Sequence, residues 1–178
     1  IQPAEIIWVD DQEAALAELI RKALLSCDLL LVTGGVSVGD YDFVIPAMQT
    51  NGVQQVFHKV KQKPGKPLFA GKKDQTLVFG LPGNPASVLT CFYQYVYPCI
   101  REMSGFLQKE LPTITLPALN NFEKKAGLTH FLKGKINGQG VQILSDQESY
   151  KMNTYAVANV LIEIDAETTM IKINDPVK

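Results

Sequence analysis

Arginine is nearly missing from this chain: Arg21 and Arg101 stand against 15 lysines. The planar fork that grips a phosphate or carboxylate at two points is therefore scarce, so an anion here would be held by lysine and backbone N–H groups. A field of one sign is missing too. A net charge of −1 and a pI near 6.2 leave no global basic surface, which excludes nucleic acid as the expected partner. Cys27, Cys91 and Cys99 are odd in number, lack CxxC spacing and sit in or beside apolar helical patterns. They read as reduced packing residues of a cytoplasmic protein. His58 and His130 lack the spacing of a zinc site. Ser37 and Ser87 lack the G-x-S-x-G context of a nucleophile. No apolar run approaches the roughly 20 residues that span a bilayer, and no signal-peptide pattern opens the chain, so no membrane partner is expected. The chain starts at Ile1 and almost at once enters a strand-like run, Ile6 to Val9. It reads as a piece of something longer.

What is present is a layered pattern. With 178 residues, 46% of them hydrophobic, the chain can bury one good core or two small ones, and two are expected. Up to about residue 103, apolar runs of strand length alternate with helical periodicity, which marks an α/β domain with a mostly parallel sheet. The reading is a strand at 5–9, a helix at 11–26, a strand at 29–33 and a helix at 42–51. Strands near 54–61, 67–71 and 76–80 follow, then a helix at 85–103 that Pro98 should kink or end. Beyond Gly105 short alternating stretches and turn signals predict a small all-β domain with little helix. The division is 1–106 and 107–178, with Leu107 to Pro112 as the linker.

Two loops could carry chemistry. Leu29 to Val32 leads into Thr33-Gly34-Gly35-Val36-Ser37-Val38-Gly39-Asp40-Tyr41-Asp42, and Thr76 to Phe79 leads into Leu81-Pro82-Gly83-Asn84-Pro85. Asn84 suits an N-cap and Pro85 the first helical position, so free N–H groups should face an anion at the end of a sheet. Gly39 is followed by Asp40 rather than Lys, and GxGxxG is missing, so neither common nucleotide loop applies. Asp10 has two readings: it caps the first helix with Glu13 in a capping box, or it stands at the ligand-binding edge of the sheet. Asp40 and Asp42 belong to that same edge, where two carboxylates could hold Mg²⁺ and Asp42 could equally cap a helix. Lys59, Lys61 and Lys63 fall on one strand face by the two-residue period, as a solvated edge or a phosphate site. Tyr93, Tyr95 and Tyr97 read as helix packing and surface.

Together TGGVSVGDYD, KQKPGKP at Lys61 to Pro67 and GLPGNPASV at Gly80 to Val88 resemble the molybdopterin molybdenumtransferases of molybdenum cofactor synthesis, which include the E domain of gephyrin. Looser similarity continues through Gln147-Glu148-Ser149 and Ala158 to Ile162. The resemblance implies a three-layer molybdopterin-binding domain followed by a barrel-like β domain. It implies cleavage of adenylated molybdopterin to release AMP while molybdate enters the dithiolene, with Mg²⁺ required and a homodimer forming the site between subunits. By position, Asp10, Asp42, Lys59 and Lys63 match active-site residues, and the two aspartates also match metal ligands. Gly34, Gly35, Ser37, Gly39, Pro82, Gly83, Asn84, Pro85 and Ser149 match the pterin-binding loops and the serine of the β domain. Lys133 stands where the family usually carries Arg, and Asp146 to Ser149 is more acidic than the family's version. Two rivals remain: an adenylyltransferase, which lacks the β tail, and a non-catalytic scaffold in the manner of gephyrin.

Overall fold

A computed structural model describes residues 5–10, 12–36 and 43–178. Helix α1 (Glu13–Ala23) leads to strand β1 (Leu29–Thr33), and helix α2 (Val44–Thr50) to strand β2 (Gln54–His58). The short strand β3 (Gln62–Lys63) precedes a hairpin, β4 (Phe69–Lys73) and β5 (Thr76–Leu81), and helix α3 (Pro85–Cys91) follows. A π-helical turn, Phe92–Val96, joins α3 to α4 (Tyr97–Met103). The remaining strands are β6 (Leu116–Pro117), β7 (Phe122–Glu123), β8 (Thr129–Asn137), β9 (Gly140–Ile143), β10 (Val160–Ile164), β11 (Met170–Ile171) and β12 (Pro176–Val177).

The first sheet runs β1-β5-β4-β2 and is mixed, which corrects the mostly parallel expectation. Only β1 and β5 pair in parallel; β5 with β4 and β4 with β2 are antiparallel. The reason is local. Lys73 and Thr76 are joined by a tight turn with Asp74 at φ 52°, and a connection that short can only return the chain antiparallel. Alternate residues of each strand serve opposite faces. Phe69 and Val78 pack with Leu16, Ile20, Ala47 and Met48 of α1 and α2, whereas Ala70, Phe79 and Leu81 pack with Cys91 and Val96 on the other side.

The predicted strand at 5–9 does not form. Ile6 is 86% and Trp8 93% exposed, and a strand needs a neighbour to take its backbone N–H and C=O groups. Pro98 does not end the helical run, which continues through the π turn into α4. The Tyr97 N–H reaches back to the Phe92 carbonyl, and Pro98 then falls in the first turn of α4, where its missing N–H is no loss.

Past residue 107 the strands form separate ladders around β8 rather than a closed barrel among the described residues. One edge of β8 pairs with β10, the other with β9 and, in parallel, with β3; β11 pairs with β7 and β12 with β6. Ala118, Leu132, Val141, Ile143, Ile162 and Val177 share their core. The short 3-10 helix Met152–Ala156 is the one helical element there that the sequence reading did not expect. Among the described residues, no helix is long and apolar enough to cross a membrane.

Candidate functional site

Parallel pairing of β1 with β5 sets the site, because it ends both strands at one edge. Thr33 lies opposite Leu81, and the Gly34 N–H donates to the Leu81 carbonyl at 3.0 Å. Beyond that bond the described start of the first predicted loop lies against the second: a Cβ placed on Gly83 would sit 3.5 Å from Gly34 Cα. Gly34 and Gly35 have φ of 87° and 63°, values that glycine adopts without penalty. Pro82 is buried and Gly83 exposed. Asn84 caps α3 as expected, its side-chain oxygen accepting the Ala86 N–H at 3.2 Å, with Pro85 next. His58 at the end of β2 contacts the Val36 carbonyl through Nε2 at 3.1 Å, so the end of β2 reaches this edge too.

The lysines are arranged differently from the expected single strand face. Lys59 has φ 69°, which stops β2 at His58, and Lys63 belongs instead to β3, paired with His130 of β8. Lys59, Lys61, Lys63 and Lys66 are all exposed, and among the described residues none is in an ion pair. A cleft of about 280 Å³ opens between the turn Lys63 to Pro67, α3 and the loop before the 3-10 helix. Lys63, Gly65, Lys66, Ser87, Gln147 and Ser149 line it. The cleft thus brings Lys63 to Ser149, residues far apart in sequence. His130 beside it titrates below its ordinary range, through burial first and then the neighbouring Lys124 and Lys63.

The acidic run before Ser149 does not neutralise these lysines. Asp146 and Glu148 both pair with Lys151, at 2.5 and 3.4 Å. Gln147 is clamped: its amide donates to the Lys133 and Leu144 carbonyls and accepts the Lys133 N–H. Buried Lys133 donates its ammonium to the Glu148 and Lys151 carbonyls, so it braces the loop that carries Ser149. Burial pushes its pKa down.

Other expectations fare less well. Asp10 is exposed, follows the unpaired segment and lies outside the cleft lining; the α1 cap position is Gln12, without a side-chain cap bond, so Asp10 heads no capping box. Ser37, Gly39, Asp40 and Asp42 lie outside the described residues. Carboxylates are the right donors for Mg²⁺, yet among the described residues no three His, Cys, Asp or Glu side chains stand together for a metal. A larger cavity of about 720 Å³, lined by Tyr93, Pro98, Ile114, Phe131 and Leu161 among others, contains none of the predicted site residues. Sequence reading missed Gln62, buried beneath the turn, and the support it receives from Tyr95 and Cys91.

Burial holds the Cys91 thiol up at about 12 against an ordinary 9.0. The unfolded chain therefore loses this proton first, and stability present below about pH 9 drains away as pH rises toward about 12. Melting curves across that window should fall more for the wild type than for Cys91→Ala; equal falls would remove Cys91 from the account.

Comparison with known proteins gives the family and the fold. A family described as "Probable molybdopterin binding domain" matches residues 1–102. A molybdopterin molybdenumtransferase of Haemophilus influenzae is 35% identical over 173 residues, 94% of this chain and 43% of that protein. One from Nostoc sp. is 41% identical over 100 residues, 54% of this chain and 23% of that protein. This chain thus spans less than half the length of these relatives. Among solved structures, a molybdopterin biosynthesis moeA protein from Pyrococcus horikoshii shares the fold with a TM-score of 0.77 at 24% identity, covering 94% of this chain and 40% of that one. A molybdenum cofactor biosynthesis protein from Pyrococcus furiosus gives 0.75 at 20% identity, covering 95% and 54%.

Proposed function

Because the chain belongs to the molybdopterin-binding domain family matched over residues 1–102, we propose that it supplies part of the site of a molybdopterin molybdenumtransferase. The substrates are adenylated molybdopterin and molybdate, and the product besides the metal-loaded pterin is AMP. The observation that carries this reading is the meeting of two glycine-bearing loops at one sheet edge, with a cleft lined by the exposed lysines Lys63 and Lys66. Backbone of Gly34, Gly35 and Pro82 to Pro85 borders the pterin. Lys63 and Lys66, with Lys59 nearby, offset charge on phosphate and molybdate, and Ser149 offers a hydroxyl across the cleft. Ser37, Gly39 and Asp42 complete the first loop's share of the site.

Mg²⁺ would be held by Asp42 with Asp10 and would supply charge compensation on the phosphoanhydride oxygens. The chain's own part is binding and orientation: lysines hold the anions and the loops exclude water from one side. A cytoplasmic homodimer is the proposed setting, and the three free cysteines are consistent with a reducing compartment.

Calorimetric titration with AMP and with molybdate at two ionic strengths tests the reading. Exposed lysines attract anions through a screened field, so affinity should fall severalfold between low and high salt. Binding that ignores salt, or no binding at all, would overturn it.

A further inference from the structure

Beneath the turn that carries Lys63 and Lys66 lies a buried polar group that nothing in the proposed chemistry uses. Gln62 is 3% exposed, and its amide is fully engaged. Its Nε2 donates to the Pro64 carbonyl at 2.9 Å and approaches Cys91 Sγ at 3.7 Å, and its Oε1 accepts from the Tyr95 hydroxyl. Cys91 in turn donates its thiol to the Gly65 carbonyl at 3.5 Å. Two successive carbonyls of the turn are thus taken from below by side chains of β3 and α3. A buried amide with partners on both ends defines one orientation, because any other leaves a polar atom unpaired at a cost of about 1–3 kcal/mol. Tyr95 is locked independently: its ring lies 6.2 Å from that of Phe57, within the core that α3 and the π turn form against the sheet.

We propose that Tyr95, acting through Gln62, is a positioning residue that fixes the Lys63 to Lys66 turn so that its two ammonium groups converge on the anion in the cleft. The hydroxyl touches no substrate; it sets the orientation of the amide, and the amide holds the turn's backbone. This rests on the reading of the cleft as an anion site, and the two fail separately in the test.

The test uses sodium molybdate as probe, on the whole chain. Tyr95→Phe removes one hydroxyl and keeps the ring, so the core remains filled. Molybdate affinity should fall about fivefold, the effect of one neutral hydrogen bond, and amide exchange at Gly65 and Lys66 should quicken while exchange in β4 and β5 stays unchanged. Gln62→Leu should weaken binding at least as much, and the double variant no more than Gln62→Leu alone, because one path is being cut twice. If the wild type fails to bind molybdate, the functional reading falls, while selective quickening at the turn would still show that the hydroxyl holds it. Unchanged affinity and unchanged exchange in Tyr95→Phe would overturn the positioning role even if Gln62→Leu does not fold. Additive losses in a folded double variant would do the same.

Discussion

Lys63→Ala should lower AMP release from adenylated molybdopterin by about 10²–10³-fold in the intact protein, with the fold unchanged, on the scale of removing one preorganised charge-stabilising group. Lys63 is exposed, and among the described residues it has no carboxylate partner, so its removal costs the folded chain little. What it supplies is placement. β3 pairs with β8 directly at Lys63 and His130, which fixes the backbone of a lysine that lines the cleft together with Ser149. Lys61 is the control, being equally exposed and equally cationic but outside the cleft lining. Lys61→Ala should stay within about twofold of wild type. Equal losses in both variants would mean that diffuse charge rather than the cleft does the binding, and full turnover in Lys63→Ala would remove this lysine from the site.

The second large effect is on stability. Gly65 has φ 91°, and a Cβ there would stand 2.5 Å from Cys91 Sγ and 2.9 Å from Gln62 Nε2. Cys91 is fully buried and cannot swing aside. Strain at a positive φ of about 1–3 kcal/mol adds to overpacking of about 1–3 kcal/mol, so Gly65→Ala should destabilise the chain by about 2–6 kcal/mol. For a protein of this size that is a drop in melting temperature of roughly 10 °C. Gly83→Ala is the contrast: its φ is unexceptional, and among the described residues its added Cβ would meet only Gly34 Cα at an ordinary 3.5 Å. It should shift stability by no more than about 0.5 kcal/mol, whatever it does to ligand binding. Thermal melts of the two variants decide the matter, and a Gly65→Ala protein as stable as wild type would show that the turn is not packed as described.

Sequence patterns located what is written in short stretches. The Asn84 cap, Pro85 at the helix start, the β1 and β5 runs and the glycine turn that opens after each were legible because each rests on the chemistry of a few adjacent residues. Pairing was not. The short link between Lys73 and Thr76 dictates an antiparallel return, but nothing local says where that hairpin sits in the sheet order, and alternation at Lys59, Lys61 and Lys63 looked like one strand because periodicity cannot reveal a positive φ at Lys59. The segment 5–9 has strand composition, but composition supplies no neighbour to hydrogen-bond with. Gln62, Tyr95 and Cys91 escaped notice for a related reason: an amide, a phenol and a thiol acquire meaning only when folding buries them together beneath one turn.

The parallel ladder between β3 and β8, continued by the Thr129 N–H donating to the Lys61 carbonyl, also orders events in time. The lysine turn is made before the strand that steadies it, which emerges only after α4 is complete. Loop closure over such a separation is costly before its contacts reward it. The β1, β5, β4 and β2 sheet can therefore condense while the turn is still tethered on one side only, and the cleft is finished last. On the proposed reading of the cleft, a nascent chain halted before β8 would carry the lysines without the strand that positions them, and its binding would wait for the C-terminal strands.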